Sequence, residues 1–234
     1  MSDMTIRHRL AALSSLFEHL CESNAMTHNP VKGVKRPPVE SYKGKTPALG
    51  DHQARALLRA PDGVSLKGKR DRAILATLLH HALRREELGK LTVKDFRHER
   101  RGVVHLKVSG KGGKTRYVPL HPAASGLILD YLEADGRGSA ATGALFRAVG
   151  NRAGGTTKAI TAYAIYKIVR GYSARLGFES AHALRATAAT NALGHQADIA
   201  KVQEWLGHAN IATTRIYDHR KTRAEDSPTF KVAY

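Results

Sequence analysis

The sequence contains one cysteine, Cys21, and no long apolar run. A single cysteine cannot form a disulfide within the chain, which favours a reducing compartment. The longest apolar run, residues 73–79, is far shorter than the roughly 20 residues that a membrane-spanning helix requires. Residues 1–9 carry charge where a signal peptide needs an apolar stretch. These absences predict a cytoplasmic protein.

Acidic residues are scarce relative to basic ones. The chain has 20 Asp and Glu residues against 38 Lys and Arg residues, which gives a formal net charge of +18. Such an excess is typical of proteins that neutralise nucleic-acid phosphates, although a merely basic surface or a ribosomal protein would show it too. With 42% hydrophobic and 25% charged residues, the chain is predicted to be globular, with one full domain and part of another.

The first 45 residues differ from the rest of the chain. A helix is predicted from Thr5, which would cap it, with an apolar stripe through residues 6–20. Asn29-Pro30 and the basic residues 31–38 indicate an extended linker, because proline removes a hydrogen-bond donor and restricts its neighbour. We therefore predict a domain boundary near residue 45.

Residues 46–220 are predicted to form a mainly α domain with a small antiparallel β-sheet, an α+β fold. Val104, Leu106 and Val108 alternate with polar residues, and a Gly-rich turn at 109–114 leads into a second β-rich run at 115–120, which indicates a hairpin. Residues 135–157 read as a loop around 144–146. Helices are expected at 51–60, 69–82, 85–90, 160–176, 182–193, 198–206 and 213–220, with Asp198 and Thr213 capping the last two.

Several short patterns in this domain carry polar groups suited to catalysis. His182 and Arg185 are spaced to share one helix face. Gly207 can end a helix and leave His208 in the turn beyond it, and Tyr217 follows among basic residues. Each pattern alone is more often ordinary surface or core than a site.

Five motifs in order nevertheless resemble those of the tyrosine recombinases of the phage integrase family, over residues 46–220. Residues 82–88 resemble the family's Gly-Leu-Arg-x-x-Glu-Leu box, residues 110–116 its catalytic hairpin, and residues 182–185 its His-x-x-Arg box. The resemblance implies a catalytic domain preceded by a helical remnant, and it implies site-specific cutting and rejoining of DNA. By the same resemblance, the catalytic residues are Arg84, Lys111, His182, Arg185, His208 and the nucleophile Tyr217, with Glu87 in support.

The chemistry of these side chains agrees with that assignment. Arginine forks and a histidine donor suit the charge that builds up on a phosphodiester under attack. Tyr217 is a poor nucleophile at its ordinary pKa of about 10 and needs a base, for which His182 is the candidate. Lys111 would protonate the departing 5′ oxygen. A 3′-phosphotyrosyl link would store the bond energy for rejoining, so no cofactor is expected.

A metal-dependent nuclease is the main chemical alternative. Glu86 and Glu87 are adjacent and should point to different helix faces, while His80 and His81 lack further ligands at suitable spacing. We therefore predict no metal site and interpret the histidine pair as structural.

The chain departs from the family pattern near its start. Residues 1–45 resemble only the end of the family's N-terminal core-binding domain, and the chain is expected to be truncated there. An alternative is therefore a catalytically idle DNA-binding remnant, and a third reading is a type IB topoisomerase. Ala82 stands where the family usually has glycine, and Ala186 where it often has histidine.

The resemblance also implies partners. These are double-stranded DNA, further copies of the chain in a tetramer on paired sites, and accessory DNA-bending proteins, for a nucleoid-associated integrase of a mobile element. Bases would be read from the helices near 70–80 and 160–176, with Lys167 and Arg170 as candidate contacts. The tail, residues 221–234, would either dock on a neighbouring copy or fray.

Overall fold

The computed structural model describes residues 1–38, 48–149, 157–177, 183–219 and 229. His182 and most of the tail, 221–234, lie outside the described residues. The chain divides into two compact units, Met1–Lys43 and Gly44–Tyr234. Among the described residues, no helix is both long enough and apolar enough to cross a membrane.

The first unit is built on one helix, α1 (Asp3–Glu22). Its N-cap is Ser2, whose hydroxyl accepts from the Thr5 backbone N–H at 3.3 Å. The prediction that Thr5 caps the helix was wrong, because Ser2 satisfies the free N–H groups of the first turn. The Asn29 side chain donates to the Ser14 carbonyl at 3.0 Å and to Glu18 Oε2 at 2.7 Å, which folds the following segment back onto α1.

The second unit is mainly helical, as the sequence predicted. In its described residues the helices are α2 (Asp51–Arg59), α3 (Leu66–His81), α4 (Arg85–Gly89), α5 (Val93–Phe96), α6 (Pro122–Ala134), α7 (Ala162–Arg175), α8 (Ala183–Gly194), α9 (Ile199–Leu206) and α10 (Ala212–Arg215). The strands are β1 (His98–Arg100), β2 (Val103–Ser109) and β3 (Thr115–Pro119).

The three described strands form one antiparallel sheet in the order β1-β2-β3. The predicted hairpin is confirmed: His105 pairs with Pro119 and Ser109 with Thr115. A short 3-10 turn, Lys111–Gly113, joins β2 to β3, and Gly112 and Gly113 take positive φ angles there that only glycine adopts readily. Strand β1 was not predicted, since its three polar residues show no apolar alternation.

Helix α3 is the centre of the second unit. Ser65 caps it by accepting from the Gly68 N–H at 3.0 Å, and every residue from 73 to 78 is buried. The helix packs against α6 and α8. The expectation that this helix reads DNA bases was therefore wrong for residues 73–78, because burial withdraws their side chains from any outside partner.

Both ends of helix α10 differ from prediction. The N-cap of α10 is Ile211, and Thr213 lies inside the helix, which ends at Arg215 instead of near 220. Asn210 takes the expected role of Thr213, since its Oδ1 accepts from the Ala212 N–H at 2.8 Å.

Helix α6 was not predicted, although Pro122 stands in its first turn, a favoured place for proline.

Candidate active site

The turn between α3 and α4 places the first arginine. Ala82 ends α3 in the left-handed conformation, with φ +49°, and its N–H donates to the Leu78 carbonyl at 3.1 Å. Leu83 then enters the core, and Arg84 takes extended backbone angles as the N-cap of α4. The left-handed residue thus ends α3, and Arg84 stands two residues later at the start of α4.

The Glu87 carboxylate binds both the backbone N–H and the side chain of Arg84. Oε2 of Glu87 accepts from the Arg84 N–H at 2.8 Å, and Oε1 accepts from Nη1 of the Arg84 guanidinium at 2.8 Å. The Glu87 side chain is only 4% exposed, whereas that of Arg84 is 39% exposed. A buried carboxylate thus fixes a cation that still faces solvent. The neighbouring Glu86 is exposed, so the two adjacent carboxylates lie on different faces, as predicted.

Arg116, on β3, completes the environment of Glu87. Its Nη1 donates to Oε1 at 2.9 Å and its Nη2 to Oε2 at 2.8 Å, while Nε donates to the Trp205 carbonyl at 3.2 Å. Burial alone would raise the pKa of Glu87, but the hydrogen bonds and charges of Arg116 and Arg84 outweigh it and hold that pKa at about 2. No role was predicted for Arg116, although it lies inside the motif at residues 110–116.

Arg185, on α8, joins two helix ends. Its Nη1 donates to the Ala82 carbonyl, and its Nη2 donates to the Leu206 carbonyl at 2.6 Å and to His208 Nε2 at 3.0 Å. Burial, followed by the charge of Arg84, lowers the pKa of Arg185 to about 10. The guanidinium therefore remains charged at neutral pH.

His208 follows the end of α9. Gly207 ends that helix with φ +66°, and the His208 N–H donates to the Gln203 carbonyl at 3.1 Å. Since a guanidinium only donates, His208 Nε2 accepts from Arg185, and we assign the proton to Nδ1, which donates to Thr214 Oγ1 at 3.0 Å. Burial and then Arg185 lower the pKa of His208 to about 4, so its ring is neutral in the free protein.

Tyr217 lies next to this histidine. The two ring centroids are 6.3 Å apart and their planes meet at 24°. The Tyr217 backbone carbonyl accepts from Thr190 Oγ1 at 3.3 Å, and its ring packs on the apolar cluster that includes Ala82 and Leu206. Arg84, Glu87, Arg185, His208 and Tyr217, which come from separate parts of the sequence, are thus gathered in one place.

The contacts of the described residues do not test the four other predicted residues. Lys111 begins the 3-10 turn at the hairpin tip, and its side chain lies outside the described part of the chain, as does His182. Lys167 and Arg170 are exposed on α7. Their roles remain predictions.

The adjacent histidines of α3 have structural surroundings. His81 is fully buried; its Nδ1 donates to the Thr77 carbonyl at 3.1 Å, and its Nε2 accepts from the His121 N–H at 2.9 Å. His80 stacks on the His121 ring with centroids 3.9 Å apart. Within the described ranges, no group of three or more His, Cys, Asp or Glu side chains is arranged to hold a metal ion.

Comparison with known proteins identifies the family. The sequence profile of the phage integrase family matches residues 48–223. The chain belongs to this family. It is a tyrosine recombinase, an enzyme that breaks and rejoins DNA strands at specific sites, and its relatives include XerC and XerD proteins.

Three relatives illustrate the match. Tyrosine recombinase XerC of Pelobacter propionicus is 36% identical over 215 residues, which cover 90% of this chain and 67% of that protein. Tyrosine recombinase XerD of Listeria innocua is 33% identical over 233 residues, which cover 96% and 75%. A crystal structure of the XerH site-specific recombinase, bound to a palindromic difH substrate in a post-cleavage complex, superimposes with a TM-score of 0.61 at 27% identity and covers 76% of this chain and 51% of that one.

Proposed function

We propose that this chain cuts DNA through Tyr217, with Arg84, Arg185 and His208 binding the scissile phosphate. The observation that carries the proposal is the meeting of these four side chains, which the sequence separates by up to 133 positions (217 − 84). The two arginines supply positive charge and their remaining guanidinium N–H groups to the non-bridging oxygens, and a partly buried site strengthens each interaction. Phosphate oxygens would take over the Arg185 hydrogen bond that His208 accepts in the free protein.

The covalent step balances without an outside energy source. The Tyr217 oxygen forms a bond to phosphorus, the bond from phosphorus to the 5′ oxygen breaks, and the product is a 3′-phosphotyrosyl link with a free 5′ hydroxyl. His182 would take the phenolic proton and Lys111 would give a proton to the 5′ oxygen; both roles rest on the family resemblance. Attack by a 5′ hydroxyl of another strand reverses the step and rejoins the DNA.

His208 has to change its hydrogen bonding when the phosphate binds. In the free protein its Nε2 is an acceptor and cannot donate to an oxygen. A bound phosphate would favour the imidazolium, whose Nε2–H can donate while Nδ1–H keeps its bond to Thr214. Phosphate binding is therefore expected to be coupled to protonation of His208.

We also propose how the enzyme assembles on DNA and in which setting it acts. Exchange between two sites needs four copies of the chain on paired DNA sites, and accessory DNA-bending proteins would assist them. We assign the enzyme to a mobile element and to the nucleoid. A solved relative at 27% identity was crystallised on DNA, which supports the DNA partner.

Covalent trapping tests the proposal and requires no choice of target sequence. Fragmented and nicked genomic DNA from the source organism is incubated with the protein in EDTA and denatured, and the protein-linked DNA is sequenced. We expect an adduct that mass spectrometry maps to Tyr217, that is lost in Tyr217→Phe and that persists in Tyr163→Phe, which alters an exposed tyrosine of α7.

The outcomes separate the alternatives. DNA binding with no adduct would contradict the enzymatic proposal and favour an idle binding remnant. Relaxation of unrelated plasmids without site dependence would favour a type IB topoisomerase. Adducts confined to one sequence would support site-specific exchange.

A further inference from the structure

Arg116 connects three segments of the site through one guanidinium group. It projects from β3, its Nη atoms both bond to Glu87 on α4, and its Nε bonds to the Trp205 carbonyl in the last turn of α9. Its side chain is 16% exposed. None of the proposed catalytic steps uses this arginine.

The first connection is to the carboxylate that also binds Arg84. Each carboxylate oxygen of Glu87 accepts one bond from Arg84 and one from Arg116. The Arg116 fork is bidentate, a geometry that fixes the plane of the carboxylate. Since Glu87 then holds the Arg84 guanidinium, any rotation of this carboxylate would displace the arginine that contacts the phosphate.

The second connection is to the backbone just ahead of the turn that leads to His208. The Trp205 carbonyl precedes Gly207, whose left-handed conformation turns the chain toward His208. A Cβ atom placed on Gly207 would lie 3.4 Å from the Arg116 guanidinium, so this turn passes close over the side chain. Arg116 therefore supports both the backbone ahead of His208 and the carboxylate behind Arg84.

We propose that Arg116 is a positioning residue for strand cleavage, which fixes the position of Arg84 relative to the turn at His208. It acts through Glu87 and Trp205 and does not touch the phosphate. Because β3 begins soon after the hairpin tip at Lys111–Gly113, the Arg116 side chain also connects the hairpin to Glu87 and to the Trp205 carbonyl. The catalytic part of this inference depends on the function proposed above.

If the role of Arg116 were purely structural, its substitution would lower the stability of the protein and leave the site chemistry unchanged in the molecules that remain folded. The test therefore needs a signal from Glu87 itself, measured in the free protein. Arg116→Met removes the fork and the charge, and Arg116→Lys keeps a charge without the fork. Arg100→Met is the matched control, because Arg100 lies on the same sheet, is exposed and stacks over Tyr117.

In the first experiment, the carboxyl carbons of glutamate are labelled with ¹³C and the Glu87 signal is followed as a function of pH by NMR. In the wild type and in Arg100→Met, we expect no titration above about pH 4, an ordinary value for a free glutamate. In Arg116→Met, only Arg84 and the more distant cations oppose the rise that burial causes in the pKa of Glu87, so this carboxylate should titrate at higher pH. An unchanged Glu87 signal in Arg116→Met would overturn the proposal.

In the second experiment, single-turnover formation of the phosphotyrosyl adduct is measured on the DNA recovered by covalent trapping. Misplacing a catalytic group by about 1 Å can cost about 100-fold in rate. We expect a loss of about that size in Arg116→Met, with DNA affinity unchanged, a smaller loss in Arg116→Lys and none in Arg100→Met. A wild-type rate in either Arg116 variant would contradict the need for the fork.

A double-mutant cycle with Glu87→Gln completes the test. If both residues act through the same bonds, the double variant Glu87→Gln with Arg116→Met should be little slower than the slower single variant. Fully multiplicative losses would overturn the proposed route through Glu87. If even the wild type forms no adduct on any DNA, the proposed function fails, and the NMR titration still decides whether Arg116 controls Glu87.

Discussion

Nη1 of Arg185 donates a hydrogen bond to the carbonyl oxygen of Ala82, the residue that ends α3 in the left-handed conformation. The second arginine of the site is therefore anchored on the turn that delivers the first. Its other nitrogen bonds to the Leu206 carbonyl, just ahead of the turn to His208. Arg185 thus has a structural role in addition to the binding role proposed for it.

Arg185→Lys is expected to reduce both stability and cleavage. A lysine ammonium cannot reach the Ala82 and Leu206 carbonyls with a planar fork, and each buried carbonyl left unpaired costs about 1–3 kcal/mol. Urea denaturation should show this loss, and adduct formation should fall by about 100-fold or more. Arg84→Lys serves as the comparison. It should impair cleavage with a smaller change in unfolding free energy, since Arg84 is half-exposed; equal losses of stability would contradict this.

Ala82→Gly should have little net effect on stability or a small favourable one. A left-handed conformation costs a non-glycine residue about 1–2 kcal/mol, and loss of a buried methyl group costs about 0.8 kcal/mol. The two effects are opposite in sign. Ala82→Val, which adds branching at the same positive φ angle, should clearly destabilise the protein. Denaturant titration of the two variants tests the argument, which a large loss in Ala82→Gly would refute.

Thr214→Val should slow cleavage, because it removes the hydroxyl that holds His208 Nδ1. Thr214 is fully buried, so the change keeps the shape and leaves an N–H unpaired, at a cost of about 1–3 kcal/mol. Thr214→Ser retains the hydroxyl and should retain most of the activity. The rate of adduct formation is the measurement, with DNA affinity as the control. A wild-type rate for the valine variant would show that Thr214 does not orient the ring.

Asp71→Ala should be among the most destabilising single changes. The carboxylate is fully buried, accepts from Arg70 at 2.7 and 3.0 Å and from Lys67 at 2.8 Å, and binds the Tyr172 hydroxyl at 3.1 Å. Removing it leaves the Arg70 charge unpaired in the core, which costs about 3–5 kcal/mol. If this variant does not fold, Tyr172→Phe should still show a loss of about 1 kcal/mol in urea denaturation.

The stability of the protein should fall in mild acid because of His81. Burial lowers the pKa of His81 to about 4, whereas the unfolded chain has the ordinary value of about 6.5. The unfolded state therefore binds more protons between these values, so the contribution of His81 to stability falls by about 3 kcal/mol as pH drops from about 6.5 to about 4. His208, whose pKa is also lowered to about 4, adds to the loss over the same range. His81→Gln should flatten this dependence in denaturation curves measured across that range. An unchanged slope would assign the effect to other groups.

Local signals in the sequence predicted much of the fold. The alternation at 104–108 and the glycines of 110–113 predicted the hairpin, and Gly207 predicted the end of α9 with His208 beyond it, because these features depend on neighbouring residues alone. The predicted caps at Thr5 and Thr213 were wrong, because Ser2 and Asn210 offered competing side-chain acceptors nearby. Helix α6 and strand β1 were missed, since their stability comes from packing and pairing with other elements.

The residue types of the proposed site and their order along the chain can be read from the sequence, because motif spacing is visible without coordinates. How those groups are held depends on the folded structure. Arg116 and Glu87 lie 29 positions apart, Arg185 and Ala82 103 positions apart, and His208 and Thr214 meet across a turn. Long-range hydrogen bonds between buried polar groups leave no periodic trace in a sequence. They form only when folding brings their partners together and excludes the water that would otherwise satisfy them.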